Sequence, residues 1–251
     1  MIKVEHLAKR FSGKNVIVDN NVSFEKGKVT SIIGPNGAGK STLLSMISRL
    51  LDKDFGVVFI DGTEIEQWDT KQLAKKLAVL RQSNNLSMRF TVRELIAFGR
   101  FPYSGGKLSS VDQNIIRNAI EYLELTAIED NYLDELSGGQ RQLAFIAMVM
   151  AQDTDYVLLD EPLNNLDIKH SLQIMRNIKR LAHEMNKAIV IVIHDINFAS
   201  CYSDHIVAMK SGEIIKEGSV EEVIREDILQ DIYETPFQVV TLAEQKVCVY
   251  Y

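Results

Sequence analysis

Nine consecutive residues, Gly34-Pro35-Asn36-Gly37-Ala38-Gly39-Lys40-Ser41-Thr42, combine three glycines, one lysine and two hydroxyls between a short apolar run and an apolar helical stretch. Glycines at this spacing let successive backbone N–H groups curl around an anion, and a helix opening there adds its partial positive end. The pattern G-x-x-x-x-G-K-[ST] after a strand and before a helix is that of a triphosphate cradle. In it Lys40 is expected to reach the β and γ phosphates and Ser41 to coordinate Mg²⁺. A second chemical element is the pair Asp160-Glu161, which ends the apolar run Tyr156-Val157-Leu158-Leu159. A run buried on both faces releases its charges at the carboxyl edge, where ligands bind in open α/β sheets. Asp160 is expected to hold Mg²⁺ through water, and Glu161 to polarise an attacking water as general base.

A third element is Leu136-Ser137-Gly138-Gly139-Gln140-Arg141-Gln142, which opens a helix expected over 140–151. Five fixed residue types in a row, 136–140, would arise by chance with a probability on the order of 10⁻³ or less. Ser137 and the amides of Gly138, Gly139 and Gln140 form another anion-binding helix start. One nucleotide hardly needs two such cradles, so each is expected to serve a different face of the γ-phosphate, in one subunit or in two.

These residues need a frame. Alternating apolar positions at Val4, Phe11, Val16, Val18, Val22 and Phe24 suggest two or three antiparallel strands. Residues 29–33 read as a buried strand running into Gly34, and 42–51 as the helix after it. An edge strand is expected over 57–60, before the turn pair Asp61-Gly62, and a short strand over 77–80. From about 84 to 135 helical periodicity takes over, interrupted by a loop at 101–106, as in a helical insertion. Strands at 156–159 and 188–193 then alternate with helices, the signature of a parallel sheet. The tail from 206 reads as two short strands, a helical stretch and a final strand.

Composition narrows the function classes. The 251 residues are 46% apolar, enough for a sizeable core. Gly and Pro together make roughly 7%, which excludes low-complexity and collagen-like chains. A net charge of −6 gives no global attraction to nucleic acid or anionic lipid. Cys201 and Cys248 offer neither a disulfide framework nor metal-type spacing, and with no secretory signal a reduced cytosolic compartment is expected. No apolar run reaches the roughly 20 residues of a membrane helix.

The three motifs together resemble the ATP-binding subunit of an ATP-binding-cassette (ABC) transporter, and the likeness covers essentially the whole chain. The resemblance implies an α/β fold: a P-loop NTPase core with a mainly parallel sheet, an antiparallel N-terminal β subdomain and a helical subdomain. One domain over 1–251 is expected, with 1–83 and 136–251 as its catalytic core and 84–135 as its helical part. By the same resemblance Gln82 follows a strand as the Q-loop glutamine, reaching both the metal and the attacking water. Asn164-Asn165-Leu166-Asp167 resembles the D-loop, and His194 the switch histidine. Phe11 stands where an aromatic ring stacks on adenine; tyrosine is more usual there. Leu163 occupies a place where many relatives carry threonine.

Two such subunits pack head to tail in this family. ATP on Lys40 of one is closed over by Ser137 and Gly139 of the other, which makes an ATP-dependent homodimer the expected state. Non-transport ABC ATPases carry coiled coils or a second cassette, absent here, so a transporter is expected. Separate cassettes are common among importers. The segment 91–103 resembles that of importers for iron–siderophores, haem and vitamin B12, with zinc and manganese importers related. Ferric siderophore uptake is the expected role, at the cytoplasmic face of the cell membrane, with integral permease subunits and an extracytoplasmic binding protein as partners.

Overall fold

The computed structural model describes residues 1–82, 88–164 and 166–250. The expected subdomain boundary at 83/84 and Asn165 of the D-loop-like segment lie outside the described residues. The chain forms two compact units, one of residues 1–68 with 178–251 and the other of residues 69–177.

The first unit begins with β1 (Ile2–Phe11) and β2 (Lys14–Phe24), a hairpin whose inward residues Ile2, Val4, Leu7, Ile17, Val22 and Phe24 are buried. Then come β3 (Val29–Ile33), α1 (Lys40–Ile47), β4 (Phe55–Ile60) and the two-residue β5 (Thr63–Glu64). The antiparallel order is β2-β1-β4-β5. β4 is therefore interior, not an edge: it pairs with β1 on one side and with β5 on the other. α1 starts and ends earlier than the expected 42–51. It stops because Arg49 adopts a left-handed φ of 58°, where its guanidinium donates to the carbonyls of Ile65 and Trp68.

The second unit contains α2 (Thr70–Lys76), β6 (Leu77–Leu80), α3 (Val92–Phe98), α4 (Phe101–Ser104), α5 (Ser110–Tyr122), α6 (Gly138–Ala151) and β7 (Tyr156–Asp160). β6 and β7 pair in parallel, Leu77 opposite Tyr156 through Leu80 opposite Leu159. The expected loop at 101–106 is instead one helical turn ended by Gly105. Pro102 sits in the first turn, where a missing N–H costs nothing. Arg100 and Asp112, both buried, pair at 2.9 Å; Arg100 also donates to the Ala151 carbonyl and stacks 3.9 Å from the Tyr103 ring centroid. This cluster ties α3, α5 and α6 into one helical body.

Helix α7 (Ile168–Glu184) runs out of the second unit, and the chain returns to the first as β8 (Ala188–Val192), α8 (Ile196–Tyr202), β9 (His205–Lys210) and β10 (Glu213–Gly218). β3 is flanked by β8 and β9, all parallel, and β10 adds on antiparallel. Every residue of β3, β7 and β8 is buried, as strands covered on both faces require. Buried Asn20 joins the two sheets of this unit, donating to the Gly212 carbonyl and accepting from the Ile214 amide. The tail adds α9 (Val220–Val223), α10 (Glu226–Tyr233) and a hairpin, β11 (Gln238–Leu242) with β12 (Gln245–Val249), where one final strand was expected. The antiparallel N-terminal sheet and the parallel-rich sheet strands are those of the expected α/β fold.

Candidate functional site

In the first unit the phosphate loop leaves buried β3 and enters α1 at Lys40. Asn36 and Gly37 are exposed at its tip, whereas Gly34, Ala38, Gly39 and Lys40 are buried and Pro35, Ser41 and Thr42 are half-buried. Gly39 stands at φ 98° as the N-cap of α1, and a Cβ there would come within 2.7 Å of Ile17 Cδ1 and 2.8 Å of the Val16 carbonyl. Position and space both demand glycine. Lys40 Nζ donates to the carbonyls of Gly34, 2.7 Å away, and Pro35, 3.0 Å away. The ammonium is thus held over the loop that it would share with phosphate. The Ser41 hydroxyl follows at the next helical position.

Two further candidates lie in this unit. His194 is exposed on the turn between β8 and α8, just ahead of Asp195, which caps α8 by accepting from the Asn197 and Phe198 amides. Phe11 is 44% exposed at the β1–β2 hairpin, with Lys9 Nζ 5.5 Å from its ring centroid.

In the second unit Asp160 ends β7 with only 8% of its surface exposed, and Glu161 follows it half-buried. The structure brings Glu161 and Gln82 together: Gln82 Nε2 donates to Glu161 Oε2 at 2.6 Å. The same oxygen accepts from Asn164 Nδ2, a partner to which the sequence reading assigned no contact. Ser41, Asp160 and Gln82 all offer hard oxygen donors, the ligand chemistry that suits Mg²⁺.

The glycine-rich helix start is also in this unit. Helix α6 begins at Gly138, two residues ahead of expectation, because Ser137 and Gln140 close a capping box. Ser137 Oγ accepts from the Gln140 amide at 3.3 Å, and Gln140 Oε1 accepts from the Ser137 amide at 3.0 Å. Ser137 and Gly138 are exposed and Gly139 is buried. A Cβ on Gly139 would meet the His170 ring at 2.3 Å. His170 is in turn held by Asp167, whose Oδ1 accepts from the His170 amide at 2.8 Å and lies 2.8 Å from its Nδ1. Those hydrogen bonds hold the Asp167 carboxyl below its ordinary range. His170 was not singled out in the sequence; only its i+3 spacing from Asp167 hints at a cap. Near α3 and α4, an open cleft of about 170 Å³ is lined by Glu94, Ala97, Phe98, Phe101, Ser104 and Leu108.

Comparison with known proteins bears on the family and the fold. A family model described as ABC transporter matches residues 17–164. The chain is 55% identical over 251 residues to the petrobactin import ATP-binding protein YclP of Bacillus subtilis (strain 168), with 100% of each covered. It is 50% identical over 240 residues to the petrobactin import ATP-binding protein FatE of Bacillus anthracis, with 96% of each covered. The dimeric structure of MJ0796, a bacterial ABC transporter cassette, matches with a TM-score of 0.77 at 30% identity, covering 88% of this chain and 99% of that one. With these motifs, this fold and these relatives, the chain belongs to the ABC transporter family, as an ATP-binding cassette.

Proposed function

We propose that this cassette is the ATP-hydrolysing subunit of an importer for ferric siderophores, with ferric petrobactin as the first substrate to test. The observation that carries the reading is full-length identity of 55% to a petrobactin import ATP-binding protein. This chain carries a phosphate loop with Lys40 held over its carbonyls and a carboxylate, Glu161, just after a buried strand.

In this reading Gly34, Pro35, Asn36, Gly37, Ala38, Gly39 and Thr42 shape the cradle for ATP phosphates, Lys40 neutralises β and γ oxygens, and Phe11 stacks on the base. Glu161 draws the proton from the attacking water, with Gln82 and His194 orienting it around the γ-phosphate. Ser41, Asp160 and Gln82 would hold Mg²⁺, which when bound would offset the negative charge of the phosphates. Ser137, Gly138, Gly139 and Gln140 close over ATP bound to a second copy packed head to tail. ADP and phosphate hold that closed dimer less well, and the difference drives the cycle.

Among the described residues no helix is long and apolar enough to cross a membrane. The cassette is proposed to work at the cytoplasmic face of the membrane, bound to permease subunits that an extracytoplasmic binding protein supplies. Residues 84–135 act as the helical subdomain. Its cleft beside Phe98 and Phe101, which are 49% and 58% exposed, receives the permease.

Uptake of iron-55 petrobactin by iron-starved cells tests the reading. A deletion strain should lose uptake, the wild-type cassette should restore it, and Lys40→Ala should not. Normal petrobactin uptake in the deletion strain, with failure on zinc, manganese, haem or vitamin B12, would overturn the cargo.

A further inference from the structure

The turn that follows β7 is built around one residue in an unfavourable backbone conformation. Glu161 has φ 50°, in the left-handed region that non-glycine residues seldom occupy. Such a conformation persists where the surroundings over-determine it, and such positions cluster at working sites. Here the surroundings are the turn itself, Glu161-Pro162-Leu163-Asn164, closed by the Asn164 amide donating to the Glu161 carbonyl at 3.3 Å. Pro162, buried, supplies a fixed φ at the second position.

The turn folds the Asn164 side chain back onto the residue that starts it. Asn164 Nδ2 donates to Glu161 Oε2, the oxygen that also accepts from Gln82 Nε2. One residue therefore holds both the backbone and the carboxylate of Glu161. An ionised carboxylate only accepts and an amide nitrogen only donates, so both contacts run from an amide to the carboxylate oxygen. With Oε2 held from two sides, the carboxylate keeps one direction.

We propose that Asn164 is a positioning residue for Glu161: its side-chain amide fixes the carboxylate that draws the proton from water, while its main chain holds Glu161 in the left-handed turn. The proposal rests on Glu161 being the general base, and the experiment separates the two.

Steady-state kcat and KM for ATP, with melting temperature, are measured for the full chain and for Glu161→Gln, Asn164→Ala and Asn164→Asp. Aspartate serves a turn as well as asparagine does, so a purely structural Asn164 tolerates it. It cannot donate, and it sets a second negative charge against Glu161. The expected result is no turnover in Glu161→Gln, with kcat lowered at least about tenfold in both Asn164 variants. KM should stay within about twofold of wild type, since Asn164 does not touch ATP in this role. Wild-type kcat in Asn164→Asp, beside an inactive Glu161→Gln, would overturn the positioning role and leave the base assignment standing. Near-normal turnover in Glu161→Gln would overturn both. Should Asn164→Ala melt early, Asn164→Asp alone decides.

Discussion

The His170 ring occupies the space that a side chain at Gly139 would need: a methyl there would lie 2.3 Å from the ring. Helix α7 thereby touches the glycine-rich start of α6 through a histidine that Asp167 holds. Gly139→Ala is expected to cost about 1–3 kcal/mol by overpacking. His170→Ala in the same chain should return most of that loss. Urea unfolding of the two single variants and the double variant measures the coupling. Strictly additive effects would contradict the contact.

Arg100 and Asp112 form a buried pair with hydrogen bonds on both sides. Removing either partner strands the other, so Arg100→Ala should cost about 3–5 kcal/mol. The Asp112 carboxyl is held down at about 2, first by hydrogen bonds from Ser109 and then by Arg100. A lowered folded pKa stabilises above the unfolded value of 3.8, and that stability is lost as pH falls toward about 2. The stability gap between wild type and Asp112→Asn should accordingly narrow across that window in acid unfolding.

Neither thiol is poised to react. Burial pushes the Cys248 thiol up to about 11 and raises Cys201 as well. The thiolate is the reactive form, so a thiol-specific chromogenic reagent at pH 7.5 should label the native chain slowly. Two equivalents should appear at once after denaturation. Rapid labelling of both equivalents in the native chain would contradict the burial of Cys248, which is 3% exposed.

The motif-bearing elements were legible in the sequence because each is written in residue types with few alternatives. β6 lies at 77–80 as expected, and the runs at 156–159 and 188–193 are β7 and β8 within one residue at an end. Helix starts were harder. Gly138 and Gly139 have poor helix propensity, yet the Ser137–Gln140 capping box begins α6 there. The final hairpin was missed because its two-residue turn is Ala243-Glu244, both at positive φ, where Asn-Gly is the usual signal. The Asn164–Glu161 contact was out of reach for a similar reason. It depends on a left-handed glutamate, which no propensity anticipates.

Lys40 donates to the Gly34 and Pro35 carbonyls and is only 5% exposed, so it reaches phosphate with little reorganisation. Losing a charge-assisted hydrogen bond is worth about 1.5–3 kcal/mol. Lys40→Ala should weaken ATP binding at least about tenfold in equilibrium titration. Its melting temperature in the absence of nucleotide should stay within a few degrees of wild type. Unchanged ATP affinity would remove Lys40 from the cradle.

Phosphate release from ATP by the purified chain, wild type against Glu161→Gln, bears most directly on the chemistry. The expected result is ATP-dependent turnover by the wild type and at least about a hundredfold less by the variant. The variant should still bind ATP with wild-type affinity, because Glu161 acts on water and not on the nucleotide. Turnover by Glu161→Gln within about twofold of wild type would contradict the assignment of Glu161 as general base.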